Sequence, residues 1–309
     1  MKILVLGGTT FIGRAVVAAA LRDGHTVTLL NRGTNPIWVP LAGQLTADRN
    51  DPTTVERVLR GNGFDVAVDV SGTERAHIDS TAPVLRDGGL GHYVFVSSGG
   101  VYDSSTTPRP FPERAPTPGD PVWGGYGAAK AECERRLAEL SFPALTVLRP
   151  PYVYGPRNNE PREQFLWARI LTDRTVYVPG DGSTPVQFCP VDHLAELVLG
   201  AATGAVPAGT YNVGESRAYR LAEYVDLLAE VGGRPARIRY VADPSVPARQ
   251  YFPFRDYGLV LDTATIERVQ PLRPVSLRDG LAETLAWFRR HGQLTYAPTD
   301  REMSWETQR

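Results

Sequence analysis

Short apolar runs alternate with amphipathic stretches over the first half of the chain. Ile3–Leu6 is an apolar run closed by Gly7-Gly8, the pattern of a strand buried on both faces. Ile12–Arg22 carries apolar residues at helical spacing and stops at Gly24. Thr26–Leu30, Gly43–Thr46, Val66–Val70, Tyr93–Val96 and Leu145–Leu148 read as further strands. Between them the spacing predicts helices over Thr53–Arg60, Thr73–Arg86 and Tyr126–Leu140, with Pro83 expected to shorten or kink the second. Strands alternating with helices specify a parallel, doubly wound α/β sheet.

The pattern changes at Pro150-Pro151. A Pro/Gly-rich loop follows, then short strands and scattered helices. The boundary is therefore placed there: residues 1–150 form the sheet domain, and 151–309 form mainly a smaller α/β region, with returns of chain to the first domain allowed. Between Gly99 and Gly125 stand six prolines and little periodicity, which reads as an active-site loop. From about Thr295 the chain is polar and is expected to be poorly ordered.

Composition narrows the function classes. A charged fraction of 22% is that of an ordinary globular protein, and a net charge of -1 without a basic stripe argues against a nucleic-acid partner. No apolar run is long enough for a membrane span or a signal peptide. Cys133 and Cys189 have no metal spacing, no metal site is expected, and sparse cysteine suits a reducing, cytoplasmic compartment.

Gly7-Gly8-Thr9-Thr10-Phe11-Ile12-Gly13 follows a strand and opens a helix. A helix N-terminus offers unpaired N–H groups and a positive dipole end to a pyrophosphate, and small residues let the backbone approach it. The motif makes residues 1–150 a Rossmann-type dinucleotide-binding domain. At the end of the second strand, NAD sites usually carry a carboxylate for the ribose hydroxyls. Asn31-Arg32-Gly33 stands there instead. Arg32 either pairs with a 2′-phosphate or faces solvent; the missing carboxylate favours the first, hence NADP over NAD. Asp48-Arg49 follows the third strand, in reach of adenine, or, for Arg49, of the 2′-phosphate.

Tyr126 and Lys130 are four apart on one helix and share a face. An ammonium near a phenol favours the phenolate, and such a tyrosine can exchange a proton with a carbonyl or alcohol oxygen. Upstream, Tyr93–Val96 runs into Ser97-Ser98-Gly99-Gly100-Val101-Tyr102. Together these segments resemble the extended short-chain dehydrogenase/reductase family, the NAD(P)-dependent epimerase/dehydratase group, over nearly the whole chain. Arg149-Pro-Pro-Tyr-Val-Tyr-Gly-Pro156, Val178–Ser183 with Val191-Asp192-His193, and Gly209–Gly214 resemble its later signatures. The resemblance implies Ser98 as the hydroxyl that holds the substrate oxygen and Tyr126 as the acid/base. It implies Lys130 as the group that tunes Tyr126 and binds the nicotinamide ribose, and Ser71, Gly72 and Pro150 as further cofactor contacts.

Thr10 in place of a central glycine, Asn31-Arg32-Gly33 and Phe252-Pro-Phe-Arg-Asp256 resemble the atypical branch related to chloroplast stem-loop-binding proteins. Dehydratases of the wider family carry Asp-Glu after the catalytic hydroxyl, where Gly99-Gly100 stands. Many sugar-nucleotide enzymes carry a phosphate-gripping arginine where Val186 stands; Arg157, Arg162 and Arg255 are possible substitutes. Trp123, Tyr152, Phe165, Trp167 and Tyr251 are either pocket aromatics or core. The expected function is an NAD(P)-dependent oxidoreductase acting on a small carbonyl or alcohol, without a membrane or nucleic-acid partner. The alternatives are an NAD-dependent sugar-nucleotide epimerase and a dinucleotide-sensing RNA-binding or regulatory protein. A homodimer is expected through the Tyr126–Leu140 helix, on the side of Leu137 and Leu140.

Overall fold

The computed structural model describes residues 1–41, 43–271 and 275–306. In chain order the elements are β1 (Lys2–Leu6), α1 (Phe11–Arg22), β2 (Thr26–Asn31), β3 (Gly43–Thr46), α2 (Pro52–Leu59), β4 (Val66–Asp69), α3 (Arg75–Asp87), β5 (His92–Val96), α4 (Tyr126–Glu139) and β6 (Ala144–Arg149). Then come β7 (Tyr152–Tyr154), α5 (Glu163–Leu171), β8 (Thr175–Pro179), β9 (Pro185–Pro190), α6 (Val191–Thr203), β10 (Gly209–Asn212), β11 (Ala218–Arg220), α7 (Leu221–Gly232), β12 (Arg237–Val241), α8 (Ala264–Val269), α9 (Leu277–Arg290) and α10 (Asp300–Glu306).

The chain divides into two compact units. The first comprises Met1–Pro151, Val191–Ser216 and Leu261–Leu272; the second comprises Tyr152–Pro190, Arg217–Val260 and Arg273–Arg309. In the first, seven strands form one sheet in the order β10-β6-β5-β4-β1-β2-β3. Every neighbouring pair in it is parallel. The central strands are buried on both faces because helices cover both, which is why they read as unbroken apolar runs. Local signals set several helix ends. Asp51 caps α2 by accepting the Thr54 N–H, with Pro52 at its first turn. Gly233, in a left-handed conformation, ends α7.

Pro83 does not shorten α3, which runs through it to Asp87. Ile78, Ala82 and Leu85 on that helix are buried, and their packing outweighs the one lost backbone hydrogen bond. Leu137 and Leu140 belong to the core of the first unit, together with Phe95, Val147 and Leu4. The apolar stripe of α4 with Leu137 and Leu140 thus packs on its own sheet, and these two side chains are not available to a second copy.

In the second unit β7 pairs parallel with β9, and β11 antiparallel with β9. β12 pairs parallel with β8. Aromatic rings fill its core: Phe188 stacks on Tyr224 at 4.4 Å, and Tyr152 meets Phe254 edge-on at 4.8 Å. Tyr152, Trp167 and Tyr251 are buried. The expectation of a loose tail is overturned for the described residues: Glu302 on α10 is buried against Arg169 at 2.6 Å, and Trp305 packs on Tyr177 and Tyr251. A buried cation demands its counter-ion, so a polar segment is pinned where composition alone suggests freedom.

Candidate functional site

The carboxyl ends of β1, β2 and β4 border a cavity of about 430 Å³. Gly7, Thr9, Thr10, Asn31, Arg32, Asp48, Arg49 and Ser71 line it, as do Asn35, Thr73, Glu74 and His77, which sequence reading missed. The last three flank the loop after β4 and the start of α3, and the rule that ligands sit beyond the carboxyl ends of parallel strands points to that segment.

Two backbone features shape the turn between β1 and α1. Gly7 has φ +106°, a conformation that disfavours side chains. A Cβ on Gly13 would lie 2.5 Å from the Gly8 nitrogen, so α1 packs directly on the turn. Thr10, in contrast, sits at φ -127°, extended backbone that any residue adopts, which explains why a glycine is dispensable there. Its side chain makes no cap hydrogen bond, leaving the first amides of α1 for an anion. Phe11 and Ile12 begin α1. Phe11 is buried, so it seats the helix.

Asn31 carries a specific orientation. Its Oδ1 accepts the Gly33 N–H at 2.8 Å and Gln44 Nε2 at 3.1 Å. A backbone N–H can only donate, so the oxygen must face it and the amide nitrogen points the other way. That Nδ2 is buried without a hydrogen-bond partner among the described residues. The end of β2 therefore carries no carboxylate, and the Asn31 amide nitrogen is shielded inside the protein. Arg32 beside it is exposed and makes no ion pair among the described residues. Asp48 accepts the Asn50 N–H at 2.9 Å.

Arg49 differs from expectation. Its guanidinium is buried and grips both oxygens of Asp69, at 2.8 and 2.7 Å, and also reaches Ser71 Oγ, the His77 carbonyl and Thr81. Burial opposes its charge, but Asp69 outweighs that and holds the guanidinium above its ordinary range. The charge is thereby committed to Asp69 and not to a 2′-phosphate. Asp69 in turn accepts the Ser71 and Gly72 N–H groups at 3.0 and 2.8 Å, which sets the loop after β4.

Ser98, Tyr126 and Lys130 lie around the carboxyl end of β5. Ser98 Oγ accepts the Gly100 N–H at 3.0 Å in the tight turn after that strand. Tyr126 is the first residue of α4 and is 43% exposed. Lys130, one turn along, is buried; its Nζ donates to the carbonyls of Gly72 at 2.7 Å and Val96 at 2.6 Å and lies 4.2 Å from the Phe95 ring centre. Burial lowers its pKa from 10.5 to about 8. Glycine contacts bring the pieces together. A Cβ on Gly127 would sit 1.9 Å from the Gly100 oxygen, and one on Gly119 2.2 Å from the Ala128 nitrogen, so α4 rests backbone to backbone on the Ser98–Gly100 turn. Pro150 holds the same turn through its carbonyl, which accepts the Gly99 N–H at 2.8 Å.

A second buried network secures this region. Ser97 Oγ donates to Glu134 of α4, which pairs with Arg149 of β6. Arg149 continues to the Tyr102 hydroxyl at 2.7 Å and the Glu113 carbonyl at 3.0 Å. Tyr102 donates to Asn212 at 2.7 Å, and Asn212 donates to the Phe111 carbonyl at 2.8 Å. The proline-rich segment is thus tied to β6 and β10 at Phe111 and Glu113. In the second unit Val186 is fully buried, Arg157 stacks over Trp287 at 5.4 Å and Arg162 over Tyr152 at 5.1 Å. Among the described residues no group of His, Cys, Asp and Glu has a metal-holding arrangement, and no helix is long and apolar enough to cross a membrane.

A model of the NAD dependent epimerase/dehydratase family matches residues 3–214. The chain is 28% identical to the chloroplast stem-loop binding protein of 41 kDa b of Arabidopsis thaliana, covering 92% of this chain and 78% of that protein. It is 31% identical to a 2-alkyl-3-oxoalkanoate reductase of Stenotrophomonas maltophilia, over 75% of this chain and 76% of the reductase. The structure of UDP-glucose 4-epimerase from Thermus thermophilus, solved with NAD, superposes with a TM-score of 0.75 at 23% identity, covering 94% of this chain and 99% of the epimerase, a likeness of fold. By its sequence match over more than half its length, and by the sheet and glycine turn that carry that match, the chain belongs to the NAD dependent epimerase/dehydratase family.

Proposed function

We propose that this protein is an NADP-preferring reductase or dehydrogenase of a small carbonyl or alcohol. The observation that carries the reading is the close seating of α4, which starts at Tyr126 and carries the buried Lys130 ammonium, on the Ser98–Gly100 turn. The cavity, the close Gly8–Gly13 approach and the uncapped first turn of α1 fit a dinucleotide. Gly7, Thr9, Thr10 and Ser71 would hold it, with Asp48 toward the adenine and Lys130 toward the nicotinamide ribose. When bound, the nicotinamide supplies or accepts a hydride. Ser98 Oγ orients the substrate oxygen. Tyr126 gives that oxygen a proton as a carbonyl is reduced, or removes one as an alcohol is oxidised. A cation one turn along the same face favours the phenolate that remains.

The exposed Arg32 at the cavity, and the lack of a carboxylate at Asn31 beside it, support NADP over NAD: a 2′-phosphate pairs with a cation, whereas ribose hydroxyls at this position are normally read by an acceptor. Gly99-Gly100 provides no acid and base for a sugar dehydration, and the buried Val186 provides no phosphate-gripping cation, which speaks against a sugar-nucleotide epimerase or dehydratase.

The test is NADPH oxidation against a panel of ketones and aldehydes, with sugar nucleotides as the rival set. Tyr126→Phe should lower turnover by about 10²–10⁴-fold while NADPH still binds, because only the proton-transferring hydroxyl is lost. Isomerisation of a sugar nucleotide without net NADPH consumption would establish an epimerase instead. Absence of turnover, combined with a dinucleotide-dependent affinity for RNA, would replace the enzyme by a sensor.

A further inference from the structure

The ammonium of Lys130 is held by a carboxylate that does not touch it. Asp69, at the end of β4, is fully buried. Its Oδ1 fixes the Ser71 and Gly72 amides, and the Gly72 carbonyl then receives Lys130 Nζ. The turn leaves no slack: a Cβ on Gly72 would sit 2.8 Å from Asp69 Oδ2. The carboxylate is locked from the other side by Arg49 and by the Tyr93 hydroxyl at 2.9 Å. Asp69 thus has one arrangement, and the carbonyl that positions Lys130 inherits it.

We propose that Asp69 is a positioning residue for catalysis, acting through Lys130: its bonds set the carbonyl that receives the ammonium, and its charge keeps that ammonium charged inside the protein. This rests on the role given to Lys130 above. Around Lys130 stand Asp69 on β4, Arg49 after β3, and Cys133 and Glu134 on its own helix, with Tyr126 one turn before it; Tyr93 on β5 bonds Asp69. Burial works against the ammonium, Arg49 does too, and Asp69 is the foremost of the groups that favour it. Without the Asp69 charge the lysine would lose its proton nearer neutrality, and a neutral amine neither favours the Tyr126 phenolate nor binds a ribose as strongly.

The sequence makes a direct test possible, because Lys2 and Lys130 are the only lysines in the chain. Protein labelled with ¹³C and ¹⁵N at lysine gives two side-chain signals, and Lys130→Met identifies which is which. Titration of the free protein should show Lys130 with a midpoint at about 8. In Asp69→Asn that midpoint should fall by about one pH unit or more, and the pH optimum of turnover should move with it. Asp69→Asn leaves Arg49 buried with a neutral partner, so Arg49→Met combined with Asp69→Asn serves as the second variant. Its midpoint should also fall below that of the unaltered protein, since the Asp69 influence exceeds that of Arg49. An unchanged Lys130 midpoint in either folded variant overturns the proposal. A lowered midpoint in a protein that turns over no carbonyl or alcohol with a dinucleotide would sink the oxidoreductase reading while leaving the Asp69–Lys130 coupling in place.

Discussion

Replacing Asn31 with aspartate should reverse the cofactor preference. Gly33 N–H and Gln44 Nε2 would keep one carboxylate oxygen in the place of Oδ1, and the second oxygen would take the place of the buried Nδ2. A neutral amide at the cavity thereby becomes a carboxylate beside Arg32. Toward NADPH it repels the 2′-phosphate and competes for the Arg32 guanidinium, a penalty on the order of one charge-assisted hydrogen bond, about 1.5–3 kcal/mol. At about 1.4 kcal/mol per tenfold, NADPH affinity should fall roughly 10- to 150-fold, while NADH, which has no 2′-phosphate, should be affected far less. Arg32→Ala should have a smaller and salt-dependent effect, because its exposed guanidinium works through screening solvent. Calorimetric titration of both nucleotides into both variants, at low and at physiological salt, measures these ratios. A wild-type protein that binds NADH as well as NADPH, or an Asn31→Asp variant with an unaltered ratio, would refute the reasoning.

Two further outcomes follow from packing. Gly127→Ala puts a methyl group into the Gly100 carbonyl, so α4 must lift from the Ser98–Gly100 turn; a loss of about 1–3 kcal/mol in stability is expected and, under the proposed function, a larger proportional loss in turnover than in NADPH binding, and wild-type values for both would contradict the contact. Glu302→Gln leaves the Arg169 cation buried beside a neutral group and should cost about 3–5 kcal/mol in urea unfolding, whereas an unchanged unfolding midpoint would show that α10 does not anchor the tail.

The parallel sheet and its glycine turn were legible in the chain because both rest on local signals. A strand covered on both faces needs an unbroken apolar run, and a strand-to-helix turn at φ +106° needs glycine. Tyr126 and Lys130 were legible for the same reason, since helical spacing alone puts them on one face. Other features depend on partners that are distant in sequence. Arg49 reads as a free cation after β3 until the fold brings Asp69, twenty residues on, against it in the interior, where only an opposite charge makes its burial tolerable. The apolar stripe of α4 is the same whether it meets its own sheet or a second copy, and only the packed core assigns Leu137 and Leu140 to the sheet. The tail from Thr295 reads as loose because its composition is polar, yet Arg169, buried more than a hundred residues away in sequence, holds Glu302. Periodicity reports which face of an element is apolar; it carries no information about which charge or surface the folded chain will bring to it, because those pairings are made by non-local contacts that exist only once the layers have packed.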